Sequence, residues 1–79
     1  MLTQYIRAAM HRARYKILED DTYFGSIPGF KGVLANAETL EGCREQLQEV
    51  LEDWILLGVK VGHELPVVDG IRLVITEAA

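Results

Sequence analysis

Two histidines, His11 and His63, one cysteine, Cys43, and the acidic run Glu19-Asp20-Asp21 are the side chains with the clearest capacity for chemistry. General acid–base catalysis needs a histidine with a partner in hydrogen-bond reach inside a pocket. His11 falls at the end of a helical pattern and His63 in a loop, and the spacing pairs neither with a partner. Both read as surface residues, His11 serving to complement a helix dipole. Cys43 lies on an apolar helical face, where a buried thiol is inert. Two-metal phosphodiester cleavage needs three or four carboxylates converging on ions about 4 Å apart. The stretch Arg14 to Leu18 carries no acid, while Glu19, Asp20, Asp21 and the Asp69 before Gly70 read as turn formers. There is no three-ligand metal pattern and no phosphate-cradling glycine-rich loop ahead of a helix. The expectation is a non-enzymatic chain with no catalytic residue, metal or cofactor.

Charge argues in the same direction. The net charge is −4, with a pI near 5.0, whereas dedicated nucleic-acid-binding domains usually exceed a pI of about 9. The distribution is uneven: Arg7, Arg12, Arg14 and Lys16 give the first sixteen residues +4, and residues 38–53 carry −5. Most of these charges read as solvated faces. Four cations, with Tyr5, Tyr15, Tyr23 and Phe24 for stacking, would give only weak, salt-sensitive RNA contact.

The 79 residues make one domain. A chain of this size buries only about 60% of its unfolded surface. Yet 49% of it is hydrophobic, a surplus that predicts a homo-oligomer, dimer or tetramer. One cysteine permits no internal disulfide, and the N-terminus lacks an apolar signal region. The longest apolar run, Trp54 to Val59, is far short of the roughly 20 residues of a membrane span. A cytoplasmic location is expected.

Leu2, Tyr5, Ile6, Ala9 and Met10 predict a first helix over 3–12, with Thr3 as N-cap and a narrow stripe lying against a subunit neighbour or the sheet's open end. Alternation from Ala13 puts Tyr15 and Ile17 on one face of a first strand and Arg14, Lys16 and Leu18 on the other. A second strand is expected over 22–27. Pro28-Gly29-Phe30-Lys31-Gly32 follows as a crossover, its proline fixing φ and its glycines supplying positive φ. A third strand follows over 33–37. Thr39 is placed to cap the main helix, with Glu41 favourable to its dipole. Position 42, where a capping box wants glutamate, is glycine. Leu40, Cys43, Leu47, Val50, Leu51, Trp54 and Leu57 keep the helical period over 40–57, and Gly58 is the expected left-handed cap. Ile55 and Leu56 exceed what one face needs and are expected in a subunit contact. A last strand is expected over 71–76. Composition and spacing alone reach only this: an α+β domain with helices on one side of a sheet.

The order of these elements resembles the HicB family, antitoxin partners of small RNA-cleaving HicA toxins, over roughly residues 12–76 of one domain spanning 1–79. The resemblance rests on Pro28, Gly32 and Val33 at the crossover, Thr39 and Glu41 opening the helix, Trp54 within it, and Gly62, Leu65 and Pro66 closing it. It implies a partial RNase H-like fold: a three-stranded antiparallel meander, a long crossover helix and a short fourth strand beside the first, here preceded by an N-terminal helix. The chain departs from the family pattern at Lys31, Ala37 and Gly42-Cys43. The sequence runs to Ala79 without the C-terminal DNA-binding domain common in the family, so operator binding is not expected to carry over.

The resemblance implies a bacterial toxin–antitoxin protein that neutralises a HicA-like toxin by protein–protein contact. Phe30 and Lys31 at an exposed crossover, with Trp54 and Leu57 at the helix end, are the expected contact residues. The competing roles are an edge-plugging ring for Phe30 and core packing for Trp54. The alternative function is a self-assembling structural or ligand-binding module that has lost its toxin; a weak metal-dependent nuclease ranks below it.

Overall fold

The computed structural model describes residues 2–71. Its elements, in chain order, are helix α1 (Leu2–His11), strands β1 (Arg14–Ile17), β2 (Tyr23–Ser26) and β3 (Leu34–Ala37), and helix α2 (Leu40–Val61). The three strands form one antiparallel sheet in the order β1-β2-β3. Register pairs Tyr15 with Gly25 and Gly25 with Ala35 on one face, and Lys16 with Phe24 and Phe24 with Asn36 on the other.

The β1–β2 connection is an acidic turn, as its composition demands. Asp21 adopts φ 64°, and the Asp20 carboxylate accepts from Thr22 N at 3.1 Å and Thr22 Oγ1 at 2.6 Å. These bonds hold the Asp20 carboxyl below the usual carboxylate range. The β2–β3 connection is not a crossover, because the strands it joins are antiparallel neighbours. It is two successive tight turns: Phe30 N–H donates to Ile27 O at 3.1 Å and Val33 N–H to Phe30 O at 3.2 Å. Gly29 (φ 87°) and Gly32 (φ 89°) each take the third position of a turn, where a type II turn needs positive φ.

Helix α2 lies on the sheet face carrying Tyr15, Gly25 and Ala35. Its Cys43, Leu47, Leu51 and Ile55 are buried at an i, i+4 spacing, one above another on a single face. Each such leucine contributes about 1.5–3 kcal/mol by leaving water. Gly25 permits the close approach, since a Cβ there would stand 3.0 Å from the Tyr15 ring and 3.1 Å from Cys43 Sγ. Thr39 caps the helix, its Oγ1 accepting from Gly42 N at 2.9 Å.

Four expectations need correction here. Thr3 lies inside α1, which begins at Leu2, so it caps nothing. The narrow stripe of α1 is not left for a neighbour: Tyr5, Ala9 and Met10 are buried in the same core as α2. Helix α2 does not end at Gly58 but runs to Val61, closed by Gly62 at φ 78°. Gly62 N–H donates to Val59 O and His63 N–H to Gly58 O, the paired bonds of a Schellman motif. Gly58 serves packing instead, a Cβ there meeting Leu65 at 3.0 Å. Finally, Ile55 is core rather than surplus, and only Leu56 of that pair is exposed.

Beyond α2 the chain runs back along the helices. Tyr5 donates its hydroxyl to Pro66 O at 2.5 Å, and burial pushes the phenol's pKa up. Val68 is buried and exchanges both backbone bonds with Ile71 across Asp69-Gly70. Both turn residues have positive φ, 49° and 76°, as a type I′ turn requires. Asp69 is more than a turn former, because it accepts from Arg12 Nε at 3.0 Å and Nη2 at 2.5 Å. The last strand expected over 71–76 lies outside the described residues apart from Ile71.

Candidate functional site

Phe30, Lys31, Trp54 and Leu57 fall at one end of the molecule but in different environments. Phe30 is 3% exposed, so the expectation of an exposed ring does not hold. The turn Ile27–Phe30 folds the ring inward, between Tyr5 (centroids 6.2 Å apart) and Trp54 (5.1 Å), tilted to each by nearly 60°. Such tilted pairs place ring edges on ring faces and add about 0.5–1.5 kcal/mol beyond burial. Lys31, at the tip of the same loop, is exposed. The loop thus anchors itself by one residue and presents the next.

Trp54 is half-buried: packed on Phe30, it also lines a surface groove of about 530 Å³. Leu57, Gly58, Val61, His63, Glu64 and Leu65 line the rest. Leu57 is 61% exposed, contrary to its place in the apolar period, and Leu56 and Val61 are 65% and 55% exposed. Sequence periodicity fails here because the buried line through Leu47, Leu51, Ile55 and Gly58 has rotated past Leu57 by the last turns. What remains is a groove with an aromatic floor and an aliphatic rim, whose tail wall is set by Leu65 on Gly58. It can bind an apolar surface. His63 stands on its wall, its imidazole without a hydrogen bond among the described residues.

The other chemistry-bearing residues stand apart. Cys43 is fully buried, which pushes its thiol pKa up, and its Sγ lies 3.8 Å from Ala35 O. That is the reverse of what a reactive thiolate needs. Among the described residues no three His, Cys, Asp or Glu side chains are grouped to hold a metal ion, and no helix is long and apolar enough to cross a membrane. Sequence reasoning missed Tyr5, Val61 and Leu65 as parts of this end. Leu65 next to Pro66 was the available signal, since an apolar residue after a helix cap often packs back on the helix.

The family model that matches is UPF0150-like, over residues 4–66. The chain belongs to the UPF0150-like family. This is a family of small proteins related to HicB-like antitoxins, and the match takes in α1 from its third residue, the whole sheet and all of α2. Among solved structures, the crystal structure of TTHA0281 from Thermus thermophilus is similar at 38% identity, covering 96% of this chain and 95% of that one, with a TM-score of 0.89. Among curated proteins no relative matches. The two findings agree with the architecture above: a mixed α+β fold of helix, three-stranded antiparallel sheet and second helix.

Proposed function

We propose that this protein is an antitoxin-type contact protein, non-enzymatic, that neutralises a small RNA-cleaving HicA-like toxin by covering it. Family membership related to HicB-like antitoxins supports the class of function. The single structural observation that carries it is the groove at the end of α2. Leu56, Leu57 and Val61 are left exposed beside a partly covered Trp54, a concentration of apolar surface that a small domain normally keeps for a partner. Aromatic residues in such a setting are the ones that dominate contact energies. Lys31 is exposed on the loop that Phe30 anchors against Trp54, and the acidic outer positions of α2, Glu45, Glu49, Glu52 and Asp53, suit a basic, RNA-binding partner by charge.

Co-expression with a small basic protein encoded next to this gene tests the reading. Growth rescued by the wild type and lost with Leu57→Glu is the expected outcome. No such neighbour, together with no neutralisation of HicA-like toxins, would remove the antitoxin role. The second reading, a self-assembling module without a toxin, draws on the same exposed apolar surface. It is favoured by a stable oligomer in light scattering with no protein recovered on the groove.

A further inference from the structure

A second concave region lies at the opposite end of α2 from the groove, where α1, β1 and the first turns of α2 meet. Two adjoining cavities of about 490 Å³ and 260 Å³ share Met10, His11 and Arg44 as a common wall. The larger volume falls within the roughly 300–1,000 Å³ of small-molecule sites. Arg7 completes the smaller cavity, and Tyr15 and Leu40 wall the larger.

The cations here lack partners. Arg7 and Arg44 have no hydrogen bond or ion pair among the described residues. The residues three and four positions from Arg7 (Thr3, Gln4, Met10 and His11) include no carboxylate. Arg44 has Glu41 three positions before it, in the same cavity, but the two form no ion pair. Arg44 is the one cation among the acids of residues 38–53, and α1 carries no acid at all. Single unpaired arginines on a surface are ordinary. Two from different helices, sharing a cleft with a histidine, set a fork of donors around one concavity. Such forks match the geometry of phosphate oxygens. Arg44 also acts on the Tyr15 phenol, partly offsetting the rise in pKa that burial causes.

We infer that this cleft binds a small phosphate monoester with a flat organic part, of the nucleoside monophosphate class. The phosphate lies between Arg7, His11 and Arg44. The organic part lies in the larger cavity against Met10, Tyr15 and Leu40. Glu41, the acid of that cavity, accepts hydrogen bonds from the ligand's hydroxyl or amino groups and repels a second phosphate. A net charge of −4 and the acidic outer positions of α2 oppose a long polyanion, so the ligand is a small molecule rather than an RNA strand. The site stands at the other end of α2 from the toxin-binding groove, and neither proposal depends on the other.

Titration of the isotopically labelled full chain, followed by amide and side-chain NMR, tests it with adenosine monophosphate, adenosine, inorganic phosphate, a short RNA and sodium chloride at matched ionic strength. The monophosphate is expected to shift Met10, His11 and Tyr15 saturably, with inorganic phosphate moving Arg7, His11 and Arg44 but not Tyr15. Arg7→Gln and Arg44→Gln are each expected to weaken binding by about tenfold or more. Their circular dichroism should stay unchanged, because both side chains are exposed. Equal shifts with chloride, binding of adenosine as tight as its monophosphate, tighter binding of RNA at the same residues, or undiminished binding by both variants would each overturn the inference.

Discussion

Phe30 shows how one side chain joins three elements. Its ring lies between Tyr5 of α1 and Trp54 of α2, while its backbone shares in both turns of the β2–β3 loop. Phe30→Ala is expected to cost about 3–5 kcal/mol in chemical denaturation, and to loosen Trp54, visible as a change in its fluorescence. Gly25→Ala is expected to cost about 1–3 kcal/mol, because the added methyl overpacks Tyr15 and Cys43. Asp20 gives a pH-dependent effect of known sign. Its folded pKa is lowered by the Thr22 hydrogen bonds, so its contribution is present above the unfolded carboxylate value and is lost as pH falls through the folded one. Thermal melts of Asp20→Asn should therefore be less sensitive to acid than those of the wild type; equal sensitivity would exclude Asp20 as a source.

At the scale of elements, the caps decide what the helices are. Glycines four residues apart, Gly58 and Gly62, both carry the signature of a helix end, and the sequence alone favours the earlier one. Tertiary contact decides the matter: Leu65 packs onto Gly58, keeping it helical, and the left-handed cap passes to Gly62. Gly62→Ala should then cost about 1–2 kcal/mol, since a side chain must adopt φ 78°. Strand existence, the Thr39 cap and the acidic turn were legible because each depends on local residue types, whereas the antiparallel meander was implied only by the family resemblance. The inward turn of Phe30 and the burial of α1 were not, because both follow from contacts with residues more than twenty positions away. The candidate contact surface was legible in part. Trp54 and Leu57 reach the groove, while Val61 and Leu65 enter it only because the helix runs one turn further than its apolar period suggests.

For the whole molecule, part of the apolar surplus in the composition gathers at one place. The core is closed by α1, α2 and one sheet face, and Leu56, Leu57 and Val61 remain outside it at one end. Light scattering is expected to show self-association of the free protein through this end, reduced to monomer by Leu56→Lys with Leu57→Glu. A persistent oligomer in that variant would place the interface elsewhere, on the sheet face where Lys16 lies over the Phe24 ring at 5.4 Å.

The most direct measurement is inhibition of RNA cleavage by a purified HicA-like toxin encoded beside this gene, titrated with the full chain. Cleavage is expected to fall to background near equimolar protein and to be restored when Leu57→Glu replaces the wild type, with that variant as stable as its parent. Cleavage unaffected by a large excess of folded protein would contradict the antitoxin role.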